Sequence, residues 1–128
     1  MTNQMPMGPA DSVGHATLDA QHKKLLAHCK ELAACLADAD DDRFDAIFRD
    51  LMTLANDHFA TEADLLERSA YPELDAYEHE CEEFGYLADE IITPENFDRQ
   101  ELQTFLTLWW TGHVLGGVRE HRSFLLRG

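Results

Sequence analysis

"HFATEADLLERSAYP", residues 58–72, decides how this chain folds. His58 and Glu62 stand four apart, and residues four apart on a helix share a face. Phe44, Phe48, Leu51, Ala55, His58, Glu62 and Leu65 advance in alternating steps of four and three, the stripe of an amphipathic helix. A histidine and a glutamate therefore lie on the stripe that should look inward. "SAYP" (69–72) then ends the helix, because the residue before a proline avoids helical angles and proline starts helices well.

The same alternation recurs on either side. Leu18, His22, Leu25, Cys29, Leu32 and Leu36 form one stripe, and Leu74, Tyr77, Cys81, Phe84, Ala88 and Ile91 another. Leu102, Leu106, Trp109, His113 and Gly116 form the last. "DADDD" (38–42) and "TPENF" (93–97) are the remaining breaks, and Asp98 with Glu101 reads as a capping box. There are no strand signals and no repeats. The expectation is an all-α fold, an antiparallel up-down-up-down four-helix bundle over residues 16–128, preceded by an irregular arm at 1–15.

At 128 residues the chain suits one domain with a real core. Its 25 acidic against 10 basic side chains, a formal charge of −15, repel phosphate backbones and anionic lipid heads. Nucleic-acid and membrane-surface binding are excluded on that ground. The first residues show no secretory leader, and no run reaches the roughly 18 apolar residues of a membrane span. Cys29, Cys35 and Cys81 are an odd number without a framework pattern, which suits reduced thiols in a cytoplasm.

Folding the chain about its breaks gives the heights of residues in the bundle. About residue 40, His22 falls beside His58. About residue 70, Glu62 falls opposite Tyr77 or Glu78, and His58 opposite Cys81 or Glu82. About residue 95, Tyr77 meets His113. The six polar residues of the inward stripes, His22, His58, Glu62, Tyr77, Cys81 and His113, thus converge on one layer. A buried carboxylate without partners costs several kcal/mol, on the order of a lost hydrogen bond or more. Imidazole, carboxylate, phenolate and thiolate all bind metals, and facing helices of a bundle build such sites. Six such groups at one level point to a metal rather than to a hydrogen-bonded polar layer. His15, His28, His79 and His121 are expected to face solvent, Cys29 to fill the core, and Cys35 to lie at the periphery.

The chain resembles the hemerythrin family, specifically its single-domain bacterial members. The resemblance rests on "SVGHATLDAQHKKLL" (12–26), "HFATEADLLERSAYP" (58–72), Phe84 thirteen residues after Tyr71, and "WWTGHVL" (109–115). It implies two non-haem irons held by five histidines and two bridging carboxylates, with reversible O2 binding. Position by position it implies His22, His58, His113 and the bridging Glu62 as metal ligands. Three family ligands are replaced: Tyr77 and Cys81 stand where two third-helix histidines would be, and Val118 where an aspartate would follow His113. His22, His58 and Glu62 keep the composition of a two-histidine, one-carboxylate iron site. His113, with Tyr77 and Cys81 as candidate ligands, is what remains of the other.

One iron is therefore expected rather than two, with zinc as the alternative metal. The expected role is a metal-binding protein that binds or senses a small diatomic ligand, O2 or NO, rather than a turnover enzyme. No nucleophile–base–orienter arrangement and no phosphate loop is visible. The alternative is a metal-free interaction module. In that reading "GHVLGG" (112–117) opens an apolar pocket at Gly116, Gly117 and Val118 for a small ligand or a protein partner. Three glycines there, each costing about 1 kcal/mol against alanine, otherwise imply a frayed or kinked helix end.

Overall fold

A computed structural model describes residues 12–127. Four long helices follow one another, α1 Ala16–Ala37, α2 Asp41–Arg68, α3 Leu74–Ile92 and α4 Arg99–Glu120. A short further helix, α5 Arg122–Arg127, was not expected from the sequence. Each long helix packs on two neighbours, α1 on α2 and α4, and α3 on α2 and α4, so the four close into a bundle. Arg99 at the start of α4 makes a two-pronged bond to Asp45 near the start of α2, at 2.9 Å on each prong. The N-termini of these two helices therefore share one end of the bundle, as up-down-up-down topology requires.

Local chemistry sets the helix ends. Asp40 accepts from the backbone N–H of Arg43, with Asp41 and Asp42 in the first turn, where the helix dipole favours negative charge. Asp98 accepts from the N–H groups of both Gln100 and Glu101. His15 caps α1 through its ring nitrogen. After α1 and α2 the chain turns through an alanine in the left-handed region, Ala39 (φ 54°) and Ala70 (φ 57°). Such a residue costs about 1–2 kcal/mol without a glycine's freedom, so the surrounding helices impose these turns.

Of the expected arm, residues 1–11 lie outside the described residues, and the rest is tied down. Asp19 accepts from the Ser12 hydroxyl and the Val13 backbone N–H, and Val13 is fully buried. Gly14 (φ +79°) makes this docking feasible, because a Cβ there would strike the Leu126 side chain.

The core is two apolar clusters. One gathers Leu25, Cys29, Leu32, Phe44, Leu51, Ala55, Phe84, Leu106 and Trp110, and the other Val13, Leu18, Leu66, Tyr77 and Leu125. Along α1, His22 falls between the two groups; along α2, His58 and Glu62 do. The inward stripes differ from the sequence reading by one residue in places. Leu66 replaces Leu65, Trp110 replaces Trp109, and Gly117 lies deeper than Gly116. Cys35, expected at the periphery, is 1% exposed. Neighbouring residues are about 100° apart on a helix, and an inward face touched by two other helices is wide enough to take either. α4 runs unbroken through Gly112, Gly116 and Gly117, so the glycines mark no frayed end. Among the described residues no helix is long and apolar enough to cross a membrane.

Candidate metal centre

α1 supplies His22, α2 supplies His58 and Glu62, and α4 supplies His113. His22, His58 and Glu62 are 0% exposed and His113 is 7%. His58 Nε2 stands 3.1 Å from His22 Nε2, 3.1 Å from His113 Nε2 and 3.0 Å from Glu62 Oε1. His113 Nε2 is itself 3.0 Å from Glu62 Oε1. One donor atom from each of the four lies within 4.8 Å of all the others.

The placement of protons shows what this arrangement suits. His58 Nδ1 faces Gln21 Oε1 at 2.9 Å and so carries the proton, while the Gln21 amide N–H points to Thr61 Oγ1. A neutral His58 then has a bare Nε2, yet that atom abuts a carboxylate oxygen as well as two other imidazoles. Were Nε2 protonated, one N–H would have three neighbours to serve. Neither tautomer satisfies the cluster. A cation does, because it takes four lone pairs at once. Donors held about 2.0–2.1 Å from one ion stand roughly 3.0–3.4 Å apart. The four short contacts around His58 and Glu62 are close to this, and the wider pairs, within 4.8 Å, would have to draw in on the ion. Gln21 would then act as the outer hydrogen-bond partner that fixes a ligating histidine's tautomer. The residues present fit a metal ion.

The rest of the layer differs in role. The Tyr77 hydroxyl donates to Glu62 Oε1 at 2.8 Å, so its proton is committed to a residue of the cluster. Burial, reinforced by the Glu62 charge, raises the Tyr77 hydroxyl far above its ordinary value. Cys81 is half-buried beside Tyr77, outside the convergence, and burial pushes its thiol up to about 12. His113 Nε2 joins the group through His58 Nε2 at 3.1 Å and Glu62 Oε1 at 3.0 Å.

His121 is the correction of largest consequence. Expected to face solvent, it is 5% exposed and its Nδ1 lies 3.3 Å from Glu62 Oε2. It continues the inward face of α4 one step of four beyond Gly117, past the Gly116 at which the stripe is read to end. His28 is also partly covered, bonded to Lys24 O and Asp50, and His15 is the α1 cap, whereas His79 is exposed as expected.

An aromatic shell covers one side of the cluster. Trp109 stacks on His113 with ring centroids 5.1 Å apart, and Trp110 meets His58 and His113 edge-on. Burial would raise Glu62, but hydrogen bonds from His113 and His121 and the histidine-rich surroundings outweigh it and hold the carboxyl well below its usual range. Burial, with repulsion from His58 and His113, lowers His22 to about 3. An unfolded imidazole titrates near 6.5, so between about pH 6.5 and 3 the unfolded chain binds the extra proton. This contribution to stability is present above pH 6.5 and lost as pH falls, at up to about 1.4 kcal/mol per pH unit. Glu62 acts in the same direction at lower pH. Melting temperatures of the metal-free protein should therefore fall steadily from pH 7 to pH 4.5; a flat profile would mean that His22 is not buried neutral.

A groove of about 420 Å³ runs beside α4 to the exposed edge of His113, lined by Glu80, Glu83, Trp109, Gly112, Gly116 and Glu120 among others. Gly117 also lines it, but Val118 does not; Val118 packs on the cluster of Val13, Leu66 and Tyr77. The expected apolar pocket is thus a groove rimmed by carboxylates.

A family model described as the Hemerythrin HHE cation binding domain matches residues 13–116. Neither the curated proteins nor the solved structures gave a match. The matched span carries all four converging residues and nearly the whole bundle, and on that evidence the chain belongs to the hemerythrin family.

Proposed function

We propose that this protein holds one non-haem iron between His22, His58, Glu62 and His113 and uses it to bind or sense a small diatomic ligand, O2 or NO. The observation that supports this most is that these four buried residues each bring a donor atom within 4.8 Å of all the others. The side chains that would complete a second site do not join it: Tyr77 donates to Glu62, Cys81 lies outside, and Val118 offers no donor.

The identity of the metal decides the role. Four protein donors close a tetrahedral zinc site, which is then structural. Iron accepts five or six ligands, so the same four leave positions open to a small molecule. The protein's part is to exclude bulk water with the Trp109–Trp110 shell, to fix His58 through Gln21, and to keep Glu62 ionised.

The test is elemental analysis of protein made in iron-supplemented medium, purified without chelator or histidine tag. About one iron per chain is expected, with a saturable visible absorbance change at one NO per iron under anaerobic conditions. Two irons per chain would overturn the single-metal reading, and one zinc with no response to NO would overturn ligand binding. A cooperatively folded protein that takes up neither Fe(II) nor Zn(II) would favour the second reading, a metal-free interaction module. The α4 groove with Gly116 and Gly117 on its wall supports that reading.

A further inference from the structure

We infer that His121 is a positioning residue for the metal centre, donating its Nδ1–H to the outer oxygen of Glu62 and so aiming the inner oxygen at the metal; this rests on the single-metal reading above. Glu62 divides its two oxygens between two sets of partners. Oε1 faces His58, His113 and the Tyr77 hydroxyl, while Oε2 has His121 at 3.3 Å. With Val118 providing no donor, His121 is the group that engages the oxygen turned away from the cluster. A ligating carboxylate whose second oxygen is hydrogen-bonded cannot swing freely, and such outer contacts typically change metal affinity by about 10–100-fold.

The surroundings of His121 are built to hold that ring. Its backbone N–H closes α4 on Gly117 O at 2.8 Å, and α5 begins at the next residue. Tyr71 and Tyr77 meet the imidazole edge-on, with centroids at 4.9 Å and 5.4 Å, and Tyr71 packs in turn on Phe124. Gly117 is part of the seat, since a Cβ there would press on Val13 at 3.3 Å beside the His121 ring. His121 also lines both the α4 groove and a second one bounded by Tyr71, Glu73 and Glu120, so it stands between Glu62 and solvent. It lies beyond the residues matched by the family model, 13–116.

Two substitutions separate the donor from the ring. Asparagine places an amide N–H close to the position of Nδ1 without the ring, and phenylalanine keeps the ring without a donor. Zn(II) affinity is read by competition with a chromophoric chelator, and melting of the metal-free proteins is followed alongside. His121→Asn is expected to bind within about three-fold of the parent even if it melts lower. His121→Phe is expected to melt lower than the parent, because the buried Glu62 Oε2 loses its donor, and to bind about 10–100-fold more weakly, a loss that His121→Asn does not share. Parent-like affinity in His121→Phe, or equal loss in both variants, would overturn the inference and leave His121 a packing residue. The bond is also read without metal, as a slowly exchanging Nδ1 proton of His121 in ¹⁵N-edited spectra. Failure of the parent to bind any metal would defeat the single-metal reading, whereas absence of that protected proton would defeat this one.

Discussion

Replacing His58 with alanine is expected to leave a folded bundle that retains no metal. His58 Nε2 is the one atom within 3.1 Å of all three other donors, so its loss removes the hub of the cluster rather than one arm. Removing an outer-shell partner already costs about 10–100-fold in affinity, and removing a ligand should cost more than about 100-fold. The fold should survive, because the change also relieves the crowding of three imidazole nitrogens. Its cost is that of a buried side chain cut to alanine, about 2–5 kcal/mol. Elemental analysis after dialysis should find well under one-tenth of the parent's metal. Retention of a full equivalent would show that the metal lies elsewhere.

Glu62→Ala should give the largest loss of stability in the metal-free protein, about 3–5 kcal/mol. Glu62 is fully buried and accepts from the Tyr77 hydroxyl, with His113 and His121 on either side. Alanine would strand these groups in a cavity with nothing to accept their protons, and each stranded group costs about 1–3 kcal/mol. Against a typical total of about 5–15 kcal/mol, this is a large share. Urea denaturation of parent and variant, both stripped of metal, measures it. A difference below about 1 kcal/mol would mean that the carboxylate's own burial had offset everything it holds in place.

Much of the bundle and of its polar layer is legible in the amino-acid sequence. Steps of four and three place the long helices, and "DADDD", "SAYP" and "TPENF" place their breaks, because apolar periodicity and turn chemistry are local properties. Folding the chain about those breaks brings His22 to His58 and Glu62 to Tyr77, pairs that stand 3.1 Å and 2.8 Å apart. That construction works for an antiparallel bundle, where a fixed rise of about 1.5 Å per residue on both helices makes equal separations from a turn equal heights.

Rotation about a helix axis and the path after a helix end are not local in that way. A stripe fixes a face only to within one residue, which is why Trp110 rather than Trp109 is fully buried and why Cys35 is inside. The same latitude hides the position of Cys81, level with the cluster but turned to its margin. His121 is missed for a further reason. The inward face runs from His113 through Gly117 to His121 in steps of four, but a stripe taken to end at Gly116 leaves His121 out. What brings it to Glu62 is the helical path that α4 keeps through its C-cap, the reach of Glu62 from α2, and a seat made by Tyr71 and Tyr77. Spacing along the chain is thus enough to set the helices, their order and the level of the polar layer. It takes the packed bundle to bring His22 and His113 together onto His58 and to give His121 the outer oxygen of Glu62, because side-chain direction depends on neighbours contributed by other helices.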